Sequence, residues 1–302
     1  QAHDMPALTG QILLDVPAHE YHRRELGVVS AGVLRRLNEE TPAHYREWVD
    51  DVDEGDTPAK VFGKAYHDRV LLPSLFAARY VGEPANAPAR PTDAMRNAQK
   101  PNASSIARVA FWNQWDAENA GKIVLSADDF ARIEAMHAAL IRDPEIAALL
   151  TEGDSEVTIR CTDEATGLRC KARPDRWNRR LRVMADLKTA DNASEGAFGR
   201  AVVRYGYDIT HAHYIECARA CGEPPEKYVF IVQEKRKPYL AALYELDAAA
   251  EARGYELRQR GMDTMYACMA NNEWPGYPRG VQTLSLPGWA IANEMEIGYV
   301  DE

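Results

Sequence analysis

Apolar and polar residues are arranged in two different ways along this chain, and the change falls near Gly153. Before it, apolar positions lie in helix-length stretches punctuated by capping residues and prolines. Ser30 caps a stretch that runs through about Glu40, and Pro42 restarts the chain into His44–Val49. Thr57-Pro58 sets an N-cap before a proline at the first helical position, predicting a helix that reaches Leu72 and is stopped by Pro73. The Ala-, Pro- and Asn-rich segment from Gly82 to Pro101 predicts a loop. Two more helices follow at about Ala103–Asn119 and Ser126–Asp143, the second opening on Ser126-Ala127-Asp128-Asp129, which resembles a capping box.

Beyond Gly153 the apolar runs shorten. Glu156–Cys161, Arg169–Trp177 and Leu181–Leu187 are β-compatible and separated by Thr166-Gly167 and Asn178-Arg179-Arg180, which predicts an antiparallel meander. Helices are expected at about Glu195–Val203 and Ile209–Ala220, strands at Tyr228–Gln233 and Tyr239–Glu245, and a long helix from Ala248 to about Met269. A tail carrying Trp274, Pro275, Gly276, Pro278, Pro287 and Gly288 closes the chain, and no internal repeat is present. The pattern is α+β, with helices first and then a sheet flanked by helices. One domain is expected, divided into a helical portion of about 20–150, a sheet core of about 153–245 and a helix and tail of about 246–302.

Composition narrows the class. With 302 residues and 46% hydrophobic content the chain can bury a full core without disulfides. No stretch approaches the roughly 20 apolar residues of a membrane span, and Gln1 to Gly10 hold no apolar run flanked by basic residues. A soluble, non-exported, cytoplasmic protein with no membrane partner is expected. The five cysteines, Cys161, Cys170, Cys217, Cys221 and Cys268, fit buried thiols in a reducing compartment, since the close pair Cys217/Cys221 is spaced i, i+4 on a predicted helix. A net charge of −10 argues against general coating of nucleic acid but leaves room for a local basic groove. Arg23-Arg24, Arg35-Arg36, Arg179-Arg180-Leu181-Arg182 and Lys235-Arg236-Lys237 are the clusters able to form one, although solvated surface charge explains any single cluster as well.

The chemistry is concentrated in Arg173-Pro174-Asp175-Arg176-Trp177, a turn, and Ala185-Asp186-Leu187-Lys188-Thr189. Alternation on a strand puts Asp186 and Lys188 on one side and Leu187 in the core, and a turn that folds the two strands together brings Asp175 near Asp186. Converging carboxylates make an oxygen site suited to Mg²⁺ or Mn²⁺, with Lys188 beside it. That equipment serves phosphodiester hydrolysis. The bare D-x10-D-x-K spacing also arises by chance, leaving two turn carboxylates and a solvated lysine as the alternative.

Pro174-Asp175 followed by Asp186-Leu187-Lys188 resembles the PD-(D/E)XK nuclease superfamily, with its restriction-endonuclease-like core and central mixed sheet. Within it the chain is similar to the phage exodeoxyribonuclease VIII (RecE-type) exonucleases. Tyr21 with Val29-Ser30-Ala31-Gly32-Val33-Leu34 and Thr41-Pro42-Ala43-His44-Tyr45, then Phe62-Gly63-Lys64-Ala65-Tyr66-His67, then Tyr207-Asp208-Ile209-Thr210 with Tyr214 carry the similarity, which spans about Tyr21 to Tyr244. The resemblance implies that Asp175, Asp186 and Lys188 are catalytic, and that His67, Asp175, Asp186 and the Leu187 carbonyl hold the metal. Thr210 stands where the family helix has glutamine, a departure that shortens the reach to DNA, while Tyr214 matches. Glu156 falls where related nucleases carry an acid, with an exposed strand glutamate as the equal alternative. It joins Arg173, Thr210 and Tyr214 as a candidate substrate contact. His211 and His213 read as surface or capping residues, and Trp112, Trp115 and Trp177 as core.

The expected activity is that of a Mg²⁺-dependent DNA exonuclease, with Mn²⁺ as substitute, resecting double-stranded ends for phage-type recombination. A single-strand annealing protein is the expected partner, and a closed homo-oligomer the expected assembly. Alternatives are a single-strand-specific repair nuclease, a catalytically inactive DNA-end or partner-binding module on the same fold, and a hydrolase of small phosphoesters.

Overall fold

The computed structural model describes residues 9–51 and 55–287, so the leading segment before Thr9 and the expected Gly288 of the tail lie outside the described residues. The chain opens with β1 (Gly10–Leu13), a short α1 (Ala18–Tyr21) and β2 (Val28–Val29), then enters the helices that its caps predict. Ser30 Oγ accepts the Val33 N–H at the start of α2 (Ala31–Glu39), Thr41 and Pro42 open α3 (Pro42–Asp50), and Thr57 accepts from Lys60 at the start of α4 (Pro58–Leu71). Pro73 does more than stop α4. It occupies the first turn of a further helix, α5 (Pro73–Arg79), because its fixed φ suits that position and the N–H it lacks has no helical partner there anyway. Asp143-Pro144 repeats the device: Asp143 accepts from Glu145 and Ile146 and starts a helix, α9, where the sequence pattern only ended one. Between them lie β3 (Tyr80–Gly82), α6 (Asp93–Arg96), α7 (Ala103–Glu118), β4 (Ile123–Leu125) and α8 (Ala127–Leu140), with α9 spanning Pro144–Thr151. The expected loop after Gly82 is irregular apart from α6, and β3 pairs in parallel with β4.

The second half is α+β, as expected, but its strands do not form one meander. β5 (Asp154–Ser155), β6 (Thr158–Thr162), β7 (Arg169–Ala172), β8 (Arg176–Asn178) and β9 (Val183–Ala190) are followed by α10 (Glu195–Tyr205), α11 (Tyr207–Ala220), β10 (Lys227–Glu234), β11 (Ala241–Tyr244) and α12 (Ala248–Asn271). One sheet has the order β1-β6-β7-β2 and another β11-β10-β9-β8-β5. The predicted strand Arg169–Trp177 is therefore cut at Arg173-Pro174-Asp175, where the chain passes from the first sheet to the second. Pro174 has no N–H to give to a ladder, so the pairing breaks there.

The five-stranded sheet is mixed: β8 and β9 are antiparallel, while β9 and β10 are parallel and joined by α10 and α11. Alternate residues of β9 and β10 feed two cores. Met184, Phe230 and Val232 enter the cluster built with α2 and the helices α10 to α12, and Ala185, Leu187 and Ile231 enter the cluster built with α4, α5, α8 and α9. α12 crosses α11 and α2 closely at two glycines. A Cβ on Gly254 would overlap the Asp208 carbonyl, and one on Gly261 would meet Leu34 Cδ2 at 2.8 Å. Arg253 and Asp208, and Arg258 and Asp163, pair across the same packing.

His211 and His213 correct the sequence reading. They are buried rather than superficial, because α11 is packed between α12 and the strands β6 and β7. His211 stands edge-on to Tyr228 with ring centroids 5.0 Å apart, and His213 Nε2 lies 3.1 Å from the Lys171 carbonyl oxygen. Burial pushes both imidazoles down to about 4. Below the ordinary value of 6.5 the unfolded chain takes up protons that the buried rings refuse, so their contribution to stability is complete above that pH and is lost as pH falls toward 4. Between pH 6.5 and about pH 5 this amounts to roughly 2 kcal/mol per ring. Urea unfolding of His213→Gln should show the pH dependence in this window reduced by about that amount relative to the parent chain. An unchanged dependence would mean that the His213 ring is not held neutral by burial.

Candidate metal centre

Where the chain changes sheets, the pairing between β8 and β9 ends and leaves the Leu187 N–H facing no strand. The Asp175 carboxylate takes that place, Oδ2 accepting from Leu187 N at 2.6 Å. The Asp175 carbonyl accepts the Glu156 N–H at 3.1 Å, and Glu156 holds a left-handed backbone with φ 53° between β5 and β6. Such a conformation is costly for a non-glycine residue and aims the side chain away from either strand's regular direction. α4 supplies His67, whose Nδ1 is 3.8 Å from Asp175 Oδ2. One ligand atom each from His67, Glu156 and Asp175 lies within 4.8 Å of the others, the one such group of histidine, cysteine and acidic residues found among the described residues.

Two carboxylates this close resist ionisation. Burial, then Asp175, pushes Glu156 up to about 8, and burial, then Asp186, raises Asp175 as well. Asp68, beside His67 on α4, is raised by burial and bonded by Arg79 at 3.0 Å. A set of one imidazole and two reluctant carboxylates is the environment that a divalent cation relieves.

Asp186 and Lys188 project from the same face of β9, with Lys188 Nζ donating to Asp186 Oδ2 at 2.6 Å. Burial works against the Lys188 ammonium, but Asp186 and Asp175 together outweigh it and raise its pKa, so the charge persists. Tyrosines surround the pair. The Tyr207 ring centroid is 5.2 Å from Lys188 Nζ, and the Tyr228 hydroxyl is buried beside Asp186. Tyr214 hydrogen-bonds Tyr21 and is raised by burial, then by Tyr21, Asp186 and Asp175.

The sequence-derived residues are thus distributed unevenly. His67, Asp175 and the Leu187 backbone meet, and Asp186 lies beside them but is engaged by Lys188 rather than joining the three-residue group. Glu156, open between a site acid and a plain strand glutamate, is in that group. Arg173 is buried, with Nε donating to Thr158 Oγ1 at 3.0 Å and Nη2 to the Val16 carbonyl at 2.7 Å, and Nη1 lies 3.8 Å from Glu156. It stands behind Glu156 rather than on the open side. Thr210 Oγ1 donates to the Gly206 carbonyl of its own helix at 3.2 Å. Tyr207 entered the sequence reading only through the resemblance and Tyr228 only as the start of a strand, and neither was given a role at the site. Gly63 admits no close approach of a sheet edge: nothing lies within 4 Å of a Cβ built there, so the surface one turn before His67 is open. The basic clusters are largely paired, with Arg35, Arg36, Arg179, Arg180, Arg182, Lys235 and Arg236 each close to an acidic residue.

Residues 30–286 match the family described as a PDDEXK-like domain of unknown function (DUF3799). Among solved structures the fold is similar to that of a protein from Eubacterium rectale described as a "putative exonuclease", with a TM-score of 0.52 and 13% identity, covering 88% of this chain and 97% of the other. At that identity the likeness concerns the fold. No curated protein sequence matches the chain.

If the three-residue group is a cation site, His67→Ala should weaken Mn²⁺ binding by about tenfold or more and Glu156→Gln by a comparable factor, because each removes one donor. Isothermal calorimetry on the full chain reads this directly. Parental affinity in His67→Ala would return the imidazole to a packing role.

Proposed function

This chain belongs to the PDDEXK-like family DUF3799, and from that premise we propose that it is a divalent-metal-dependent nuclease that hydrolyses phosphodiester bonds in DNA from an end. The observation that carries the proposal is the convergence of His67, Glu156 and Asp175 within 4.8 Å, beside the Asp186–Lys188 pair. Oxygen donors with a single imidazole suit Mg²⁺ and Mn²⁺. The Leu187 carbonyl is a further donor in this reading, since a strand residue's C=O leaves on the same side as its N–H, and that N–H is on Asp175. An ion held there would supply Lewis-acid stabilisation to the phosphoryl group.

The side chains do the rest. Lys188 keeps its proton through its acidic neighbours, so it can donate to the attacking water or to a non-bridging oxygen as negative charge builds. Asp186 accepts from Lys188 and fixes its direction, and the Tyr207 ring limits where the ammonium can swing. Arg173 holds Glu156 in place from the buried side. Tyr214 and Thr210 lie on the helix that lines the Lys188 side of the site and are the groups assigned to the phosphate backbone of the substrate, a role that requires the Thr210 hydroxyl to turn from the Gly206 carbonyl.

The description of the Eubacterium rectale protein supports action from an end, and the resemblance to exodeoxyribonuclease VIII supports double-stranded DNA as the substrate. In this reading the product strand passes to a single-strand annealing protein in phage-type recombination in the cytoplasm. A chain of net charge −10 gains from enclosing its substrate, because several copies in a closed ring pool their few unpaired basic side chains around one duplex.

Incubation with linear and covalently closed DNA, with and without Mg²⁺, tests the proposal: only the linear form should disappear, and only with the ion present. Cleavage of closed circles would make the enzyme an endonuclease, and end binding without cleavage in either metal would make it a binding module. Lys188→Ala should lose about two orders of magnitude or more in single-turnover rate while binding Mn²⁺ as the parent does. Lost metal binding with an unchanged rate would remove the role given to Lys188.

A further inference from the structure

Three thiols that are far apart in sequence meet beneath the four-stranded sheet. Cys161 on β6 and Cys170 on β7 are direct cross-strand partners, and Cys217 on α11 packs onto them from below, with its Sγ 3.6 Å from His213 Nε2. All five cysteines are free. Asp163 N–H donates to the Leu168 carbonyl at 2.9 Å, so the alternation of the ladder makes Cys161 and Cys170 a hydrogen-bonded pair, whose Cα atoms stand about 5.5 Å apart. That separation lies inside the range a disulfide spans. Cys170 and Cys217 are 2% and 1% exposed, whereas Cys161 is only half-buried. The geometry points to a redox-reactive dithiol in which Cys161 is the thiol attacked by a hydroperoxide and Cys170 the thiol that resolves it into a disulfide.

The surroundings favour that division of labour. Hydrogen bonds from Cys170 and then Cys217 hold Cys161 well below the usual thiol range, while Cys170 is raised by the same contact and Cys217 by its bonds to both. These opposed shifts favour Cys161, the most accessible of the three, as the attacking sulfur. The Cys161 sulfur attacks one peroxide oxygen and the O–O bond breaks. The other oxygen leaves with a proton as water or alcohol, giving a sulfenic acid. The Cys170 sulfur then attacks the sulfenic sulfur, its proton leaves with the hydroxyl as water, and the S–S bond forms. The sulfurs lose two electrons and the peroxide gains them. A thiol reductant reverses the step by thiol–disulfide exchange.

The full chain, free of metal, is treated with hydrogen peroxide, and its thiols are then alkylated before and after reduction and mapped by mass spectrometry. Cys161 should be lost at least about tenfold faster than Cys268, with a Cys161–Cys170 linked peptide that dithiothreitol releases. Cys161→Ser should abolish the linkage, and Cys170→Ala should leave Cys161 as a trapped sulfenic acid that a dimedone probe captures. Cys221→Ser should change neither. Equal reactivity of Cys161 and Cys268, a bond to Cys217 in place of Cys170, or thiols protected by zinc retained from purification would each overturn the assignment. Should Cys170→Ala fail to fold, the linked peptide and the Cys161→Ser result decide the matter alone.

Discussion

One backbone N–H organises the centre of this protein. When the chain leaves its ladder at Pro174, Leu187 on β9 keeps β10 on one side but has no strand on the β8 side, and an unpaired N–H at a buried position costs free energy comparable to a lost hydrogen bond. Asp175 meets the debt with its carboxylate. In doing so it is held rigidly at the junction of the two sheets, and the Glu156 N–H bonded to its carbonyl is anchored with it. The sheet-switching turn and the acidic pair meet at that local break, with Lys188 one residue farther along β9.

The same geometry works against the stability of the empty fold. Glu156 and Asp175 are pushed toward their neutral forms, which is the response of buried like charges with too little compensation, and Lys188 is committed to Asp186. The strained backbone at Glu156 adds to this. Local order is instead carried by features distant from the centre: the glycine-mediated crossing of α12 over α2 and α11, and the ion pairs Arg258–Asp163 and Arg253–Asp208, the last with an exposed guanidinium. A framework this firmly packed can tolerate an unfavourable cluster at one edge.

How much of this could be read in the sequence depended on the range of the interaction. Caps at Ser30, Thr57 and Ser126 act within a single turn, and the helices they start are where the pattern put them. Asp186 and Lys188 share a face because a strand alternates, which is equally local. Proline was half legible: Pro73 was seen to end a helix but not to begin the next one, and the helix that Pro144 begins after Asp143 was not expected. The division of the expected meander between two sheets depends on what β1, β2, β10 and β11 pair with, and no window around Pro174 contains that information. The grouping of Glu156 with His67 and Asp175, left open in the sequence, and the burial of His211 and His213 were hidden for the same reason, since both are set by elements more than a dozen residues away. The thiol group is the extreme case, assembled from β6, β7 and α11 with no spacing motif to announce it.

The two faces of the five-stranded sheet have a further consequence. His67 rises from the helical layer that buries Leu187, whereas Asp186 and Lys188 face the opposite layer of α2 and α10 to α12. The centre is thus a seam rather than a pocket within one layer. A cation seated there would act as a rivet through both layers, so that the angle at which they meet and the reach of its donors are no longer independent. Small sliding of α4 would then tune the electrostatics of the centre without moving any residue of β9.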